Sequence, residues 1–161
     1  MLALPSLEAA HVVGLFAATG DEPATAHLHA LLASRGLTLA YPRVMVDALV
    51  FAAVADLSEL RPGYRGIAEP PPDAAPVPLD QIDLLLVPGL GFAPDGARLG
   101  QGGGHYDRLL AKPGLRALTV GLCFAVQLVP NLPREPHDRP VDRVVTERDV
   151  IVSLANRDEA V

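Results

Sequence analysis

Between Val87 and Leu110 the chain concentrates residue types that handle phosphate. Gly100, Gly102, Gly103 and Gly104 leave Gln101 as the one side chain in that run, so the backbone can close on a ligand and turn several N–H groups into one concavity. Arg98 precedes the run, and Asp107 and Arg108 follow it. The arginines supply cations for phosphate oxygens, and Asp107 supplies a carboxylate for a magnesium ion that bridges them. The pattern is neither of two widespread phosphate loops. His105 and Tyr106 stand where a Gly-Lys-Ser/Thr ending would have lysine and hydroxyl, and His105 also occupies the place of the last glycine in the dinucleotide pattern. A glycine run alone is most often only a flexible turn; the flanking charges turn the reading toward an anion.

Such a loop needs rigid neighbours. Residues 84–87 are apolar with branched side chains and end at Pro88, which suits a buried strand ending at the rim of a sheet. Residues 105–112 read as the opening turns of a helix, whose free N–H groups and macrodipole favour an anion at the glycines. Upstream, residues 11–18 read as a strand, 25–35 as a helix capped by Thr25 and stopped by Gly36, and 37–41 as the next strand. That βαβ spacing places ligands beyond the carboxyl ends of the strands, and Glu22 lies at that rim. Residues 48–55 and 117–124 are further apolar strands, and 144–146 and 150–152 are short terminal ones. Residues 60–64 read as a turn, and the proline-rich stretches 69–78 and 130–140 as irregular connections. The expected fold is α/β: a layered sandwich with a mainly parallel central sheet, helices on both faces, and strand 83–87 inside it.

With 161 residues, half of them apolar, the chain is long enough for one well-buried core, and residues 1–161 are expected to form a single domain. The net charge of −6 provides no general field for nucleic acid or a membrane surface, so any anion must be held locally. Cys123 lies in an apolar run and reads as a structural thiol. The start lacks a basic signal-peptide region, and no apolar stretch is long enough to span a membrane, so a cytoplasmic protein is expected. His11, His27 and His29 have no ligand-type spacing, and no zinc site is expected.

The segment Val87-Pro88-Gly89-Leu90-Gly91-Phe92, followed by Asp95-Gly96-x-Arg98-Leu99-Gly100-x-Gly102-x-Gly104-x-Tyr106-Asp107-Arg108, resembles the signature of the 5-formyltetrahydrofolate cyclo-ligase family. Weaker family features flank it: Asp21-Glu22 with Thr25, Pro42-Arg43-Val44, Gly66-Ile67-x-Glu69-Pro70, and His137-Asp138-x-x-Val141-Asp142-x-Val144-Val145-Thr146-Glu147. The resemblance covers about residues 12 to 152. It implies the NagB/RpiA/CoA-transferase-like architecture and a reaction in which ATP, with magnesium, converts 5-formyltetrahydrofolate to 5,10-methenyltetrahydrofolate, ADP and phosphate. Phosphorylation makes the formamide oxygen a good leaving group, so a neighbouring folate nitrogen can close the ring. Such chemistry asks for positioned cations, N–H groups and a metal more than for a nucleophile.

By the same resemblance, Arg98, Leu99, Gly100, Gln101, Gly102, Gly103, Gly104, His105 and Tyr106 bind ATP, with Arg98 and Tyr106 catalytic. Glu22, Gln101 and His105 face the folate, and Asp107 and Asp138 hold magnesium. Read from the residues alone, Glu22 is equally a solvated carboxylate near a helix start and Asp138 a turn residue. Position 105 is His where relatives have an aromatic ring, and position 101 is Gln where they have Tyr, Arg or Lys. The resemblance also implies a basic helix ahead of the first strand. Ten residues precede His11 and none is basic, so weak ATP binding and slow turnover are expected. The alternative is a catalytically impaired relative that binds nucleotide or folate or regulates a partner; a sugar-phosphate isomerase-like protein is a third reading. The expected partners are ATP and a reduced folate, with no nucleic acid or membrane, for a monomer or weak homo-oligomer.

Overall fold

Alternating apolar runs and turn residues build a chain of short elements. The computed structural model describes residues 5–46, 48–135 and 138–153. In order they are α1 (Pro5–Glu8), β1 (Val12–Gly14), α2 (Ala26–Ser34), β2 (Thr38–Met45), β3 (Ala48–Ala53), β4 (Arg61–Pro62), β5 (Ala68–Glu69), β6 (Pro76–Val77), β7 (Leu84–Val87), β8 (Gly91–Phe92), β9 (Arg98–Leu99), α3 (His105–Leu110), β10 (Leu118–Leu122), β11 (Arg143–Val145) and β12 (Val150–Val152).

The main sheet runs β12-β11-β10-β7-β1-β2-β3-β6. Its centre is parallel, from β11 through β10, β7 and β1 to β2. Both margins are antiparallel: β12 on β11, and β3 and β6 beyond β2. The expected mainly parallel sheet is present, and β7 is an interior strand whose four residues are all buried. Period-two alternation divides that strand between two cores. Leu84 and Leu86 pack with Leu32 of α2, whereas Leu85 and Val87 pack with Leu109 of α3.

Several boundaries differ from the sequence reading. The first strand stops at Gly14 rather than at 18, because the pairing with β2 ends where Leu15 N–H donates to Ala40 O (2.8 Å). Thr25 occupies the N-cap position of α2 as expected, but its side chain makes no capping bond: the buried hydroxyl donates to Phe16 O (2.7 Å) and thereby pins the chain leaving β1. Gly36 ends that helix region as expected, with a left-handed φ of 80°. β2 runs on to Met45 because β3 returns beside it as an antiparallel partner, a pairing that no local pattern announces. The stretches read as a turn at 60–64 and a loop at 69–78 contain β4, β5 and β6, and Pro76 is tolerated because β6 is an edge strand. α3 stops at Leu110 rather than 112, since Pro113 disfavours helical geometry at Lys112. Cys123 is buried as a structural thiol, and burial, then the Glu147 charge, push its pKa up to about 11.

Asp83 ties the starts of two central strands together, its Oδ2 accepting from His11 N–H (2.7 Å) and Val12 N–H (2.9 Å). The Val12 bond, then the His11 bond, hold its carboxyl below the usual carboxylate range against a smaller cost of burial. A depressed folded pKa gives stability that is fully present above the unfolded value, near 4, and lost as pH falls through the lower folded value. The denaturation midpoint of Asp83→Asn is therefore expected to lie below that of the parent at neutral pH, with the gap closing as pH drops below about 4. A gap independent of pH would assign the stabilisation elsewhere.

Candidate functional site

β7 delivers the chain to Pro88 at its carboxyl end, and the β8–β9 ribbon then turns it back through Asp95 and Gly96 to Arg98. Gly102 and Gly104 adopt left-handed φ values of 81° and 62°, conformations that side chains resist, so the loop into α3 requires glycine at both. Around this loop opens a cleft lined by Gly100, Gln101, Gly103, Gly104, His105, Tyr106 and Asp107. Arg98 and Glu22 join them from β9 and the loop after β1. Leu99 is half exposed on β9 and, like Gly102, does not line the cleft.

Arg98 is the centre of the arrangement. Its side chain is only 5% exposed and its Nη2 reaches Asp107 Oδ1 at 2.7 Å, so α3 and β9 are clasped across the loop. Nη1 donates to Pro88 O (3.4 Å), and Cζ sits 5.7 Å from the centre of the Tyr106 ring. Two buried polar atoms here lack a hydrogen-bond partner: Arg98 Nε and Tyr106 Oη. Burial raises the Tyr106 hydroxyl above the ordinary tyrosine range, so it remains a proton donor. Two orphaned donors beside a glycine loop are suited to an oxyanion.

Glu22 Oε2 is oriented by Thr19, accepting from its N–H (2.8 Å) and hydroxyl (3.1 Å). Arg108, read as a phosphate cation, instead folds back on the loop to donate to Gly103 O (3.0 Å) and His105 Nδ1 (3.0 Å). Because guanidinium only donates, Nδ1 is the acceptor and the ring proton lies on Nε2. His105 stacks edge-on against Tyr64, with ring centres 5.6 Å apart. Asp138 does not line the cleft. It lies with Arg98, Arg134 and Arg139 at a second, smaller cavity, and its Oδ2 accepts from Glu135 N–H (2.7 Å). Its sequence neighbour His137 falls outside the described residues.

The sequence reading gave no site role to the wall formed by Tyr64, Arg65, Ile67 and Glu69. Glu69 is a buried carboxylate whose Oε1 accepts from Val44 N–H and Tyr64 N–H, both at 3.2 Å. An acidic residue held between apolar neighbours and a proline was the available signal, since charge is buried only where something uses it.

A parallel-centred sheet with a glycine loop and an arginine-carboxylate clasp at its rim defines an α/β protein with a cleft at the carboxyl ends of its strands. Residues 1–147 match the profile of the 5-formyltetrahydrofolate cyclo-ligase family, and the chain belongs to that family of ligases. The 5-formyltetrahydrofolate cyclo-ligase of Mycolicibacterium smegmatis is 33% identical over 141 residues, which cover 84% of this chain and 73% of the relative. That of Escherichia coli K12 is 34% identical over 155 residues, 93% of this chain and 85% of its own. The solved 5,10-methenyltetrahydrofolate synthetase of Aquifex aeolicus superposes with a TM-score of 0.81 at 32% identity, over 93% of this chain and 75% of that one.

Proposed function

We propose that this enzyme converts 5-formyltetrahydrofolate to 5,10-methenyltetrahydrofolate with ATP and magnesium, releasing ADP and phosphate, as a single cyclo-ligase module of residues 1–161. The carrying observation is the pair of orphaned buried donors, Arg98 Nε and Tyr106 Oη, beside the glycine loop. In this reading the loop from Gly100 to Gly104 takes the phosphates on its N–H groups. Arg98 and Tyr106 donate to the transferring phosphoryl group, whose charge must be met by fixed donors. The γ-phosphoryl group passes to the formyl oxygen and ADP leaves; N10 then attacks the activated carbon, losing its proton to solvent, phosphate departs and the ring closes. Glu22, Gln101 and His105 orient the folate so that its formyl oxygen meets the phosphoryl group in line.

Magnesium arriving with a nucleotide needs only one or two protein carboxylates. Among the described residues no group of three or more His, Cys, Asp or Glu could hold a metal unaided, but Asp107 lines the cleft with Oδ2 free of any hydrogen bond. Asp107 fits that requirement; Asp138 lies at the neighbouring smaller cavity, so the ion is left to Asp107. The ion would supply positive charge to the β- and γ-phosphate oxygens. The same proposal covers the layered sandwich architecture and a cytoplasmic monomer or weak homo-oligomer; among the described residues no helix is long and apolar enough to cross a membrane.

The test is direct: incubation with 5-formyltetrahydrofolate, ATP and magnesium, with methenyltetrahydrofolate followed by absorbance. Product that depends on ATP supports the reading, and none over a range of ATP overturns it. Asp107→Asn is expected to raise the half-saturating magnesium concentration by roughly tenfold or more with the fold intact, because a charge at the rim is removed rather than core volume. An unchanged magnesium curve would take Asp107 out of the metal site.

A further inference from the structure

The turn at Tyr64–Gly66 projects one cation into the mouth of the cleft. Of the arginines lining it, Arg98 is buried and clasped to Asp107, whereas Arg65 is exposed. Among the described residues the Arg65 guanidinium makes no hydrogen bond or ion pair; it lies 5.2 Å over the Tyr64 ring. Stacking leaves the N–H edge of a guanidinium available to a planar anion. Arg65 has a φ of 54°, the one left-handed value at a residue other than glycine among those described, so its backbone is held rather than relaxed. The hold is visible: Gly63 N–H bonds Ile67 O (2.8 Å), Ile67 N–H bonds Tyr64 O (3.1 Å), and the buried Glu69 carboxylate anchors Tyr64 N–H.

Resting on the function proposed above, we infer that Arg65 is a specificity-determining residue that pairs with a carboxylate of the folate's glutamyl tail. The substrate is long and chemically polar at one end. Its formyl group must lie near the glycine loop to meet the phosphoryl group, so the glutamyl end has to leave toward solvent. A buried cation cannot follow it there, but an exposed one at the rim can. Tyr64, stacked on His105 at one side and beneath Arg65 at the other, lines the path between loop and rim.

The experiment compares the parent with Arg65→Gln and Arg65→Lys, by equilibrium dialysis against 5-formyltetrahydrofolate and against the primary amide of 5-formyltetrahydropteroate, which lacks the glutamyl group and carries no carboxylate at that end. Glutamine places the same demand on the left-handed backbone and removes only the charge. Loss of one charge-assisted pair is expected to raise Kd for the full substrate about tenfold in Arg65→Gln, with partial recovery in Arg65→Lys. The pteroate amide should bind parent and variants alike, and the KM for ATP should not move. High salt should narrow the difference between parent and Arg65→Gln. Equal binding of the full substrate by parent and Arg65→Gln overturns the assignment, as does an equal loss with the pteroate amide. A raised KM for ATP would give Arg65 to the nucleotide instead. A parent that binds neither folate defeats the proposed function itself, and this inference with it; a parent that binds and turns over the folate regardless of position 65 defeats only the inference.

Discussion

Arg98→Ala is expected to lower kcat/KM by about a hundredfold to ten-thousandfold while the chain still folds. The side chain makes a 2.7 Å ion pair with Asp107 and leaves Nε without a partner beside the loop, so its removal takes away two roles at once. Each charge-assisted hydrogen bond is worth about 1.5 to 3 kcal/mol, and two such losses are about 3 to 6 kcal/mol. At about 1.4 kcal/mol per decade that gives the stated range. Arg98→Lys keeps the charge but not the planar fork, which can hold Asp107 and an oxyanion together, so it should recover only part of the rate. Steady-state kinetics at saturating folate, with ATP varied, read the effect. A loss below tenfold in Arg98→Ala would show that the loop N–H groups hold the phosphates without it.

Phe92→Ala should be the most damaging core change, at about 3 to 5 kcal/mol of unfolding free energy. Phe92 is fully buried at the base of the β8–β9 ribbon that carries Arg98. Its ring fills the space over Gly121 so closely that a Cβ there would lie 2.3 Å from Cε1. The cost approaches the whole stability of a marginal domain, so the denaturant midpoint is expected to fall steeply with little change in slope. Gly121→Ala alone overpacks the same space and should cost about 1 to 3 kcal/mol. Combined with Phe92→Leu, the two should cost less than their sum, because the added methyl occupies volume that the smaller side chain vacates. Additive losses would mean that the two positions do not share one cavity.

Much of the scaffold was legible in the chain because its causes are local. The run from Leu84 to Val87 is a buried interior strand, as branched apolar residues before a proline require. Gly102 and Gly104 take the left-handed geometry that a run of glycines makes available, and His105 opens the helix expected there. Gly36 ends α2 for the same reason. The family motif also marked the clasp residues individually, since Arg98 and Asp107 both belong to it.

What those residues do to one another is a different matter. The sequence alone determined a mainly parallel sheet with a glycine loop, cations and a carboxylate after its central strand, because strand propensity, helix termination and positive φ are decided within a few residues. Only the tertiary structure decided that Arg98 is neutralised by Asp107, that Arg108 turns back on Gly103 and His105, and that Asp138 lies at a separate cavity. It also decided that β3 lengthens β2 and that Glu69 brings Tyr64 and Arg65 into the cleft from a turn with no chemical motif of its own. Ion pairing, antiparallel register and the burial of a carboxylate depend on which distant segments converge, and that convergence is set by the packing of the whole sheet rather than by any window of the chain.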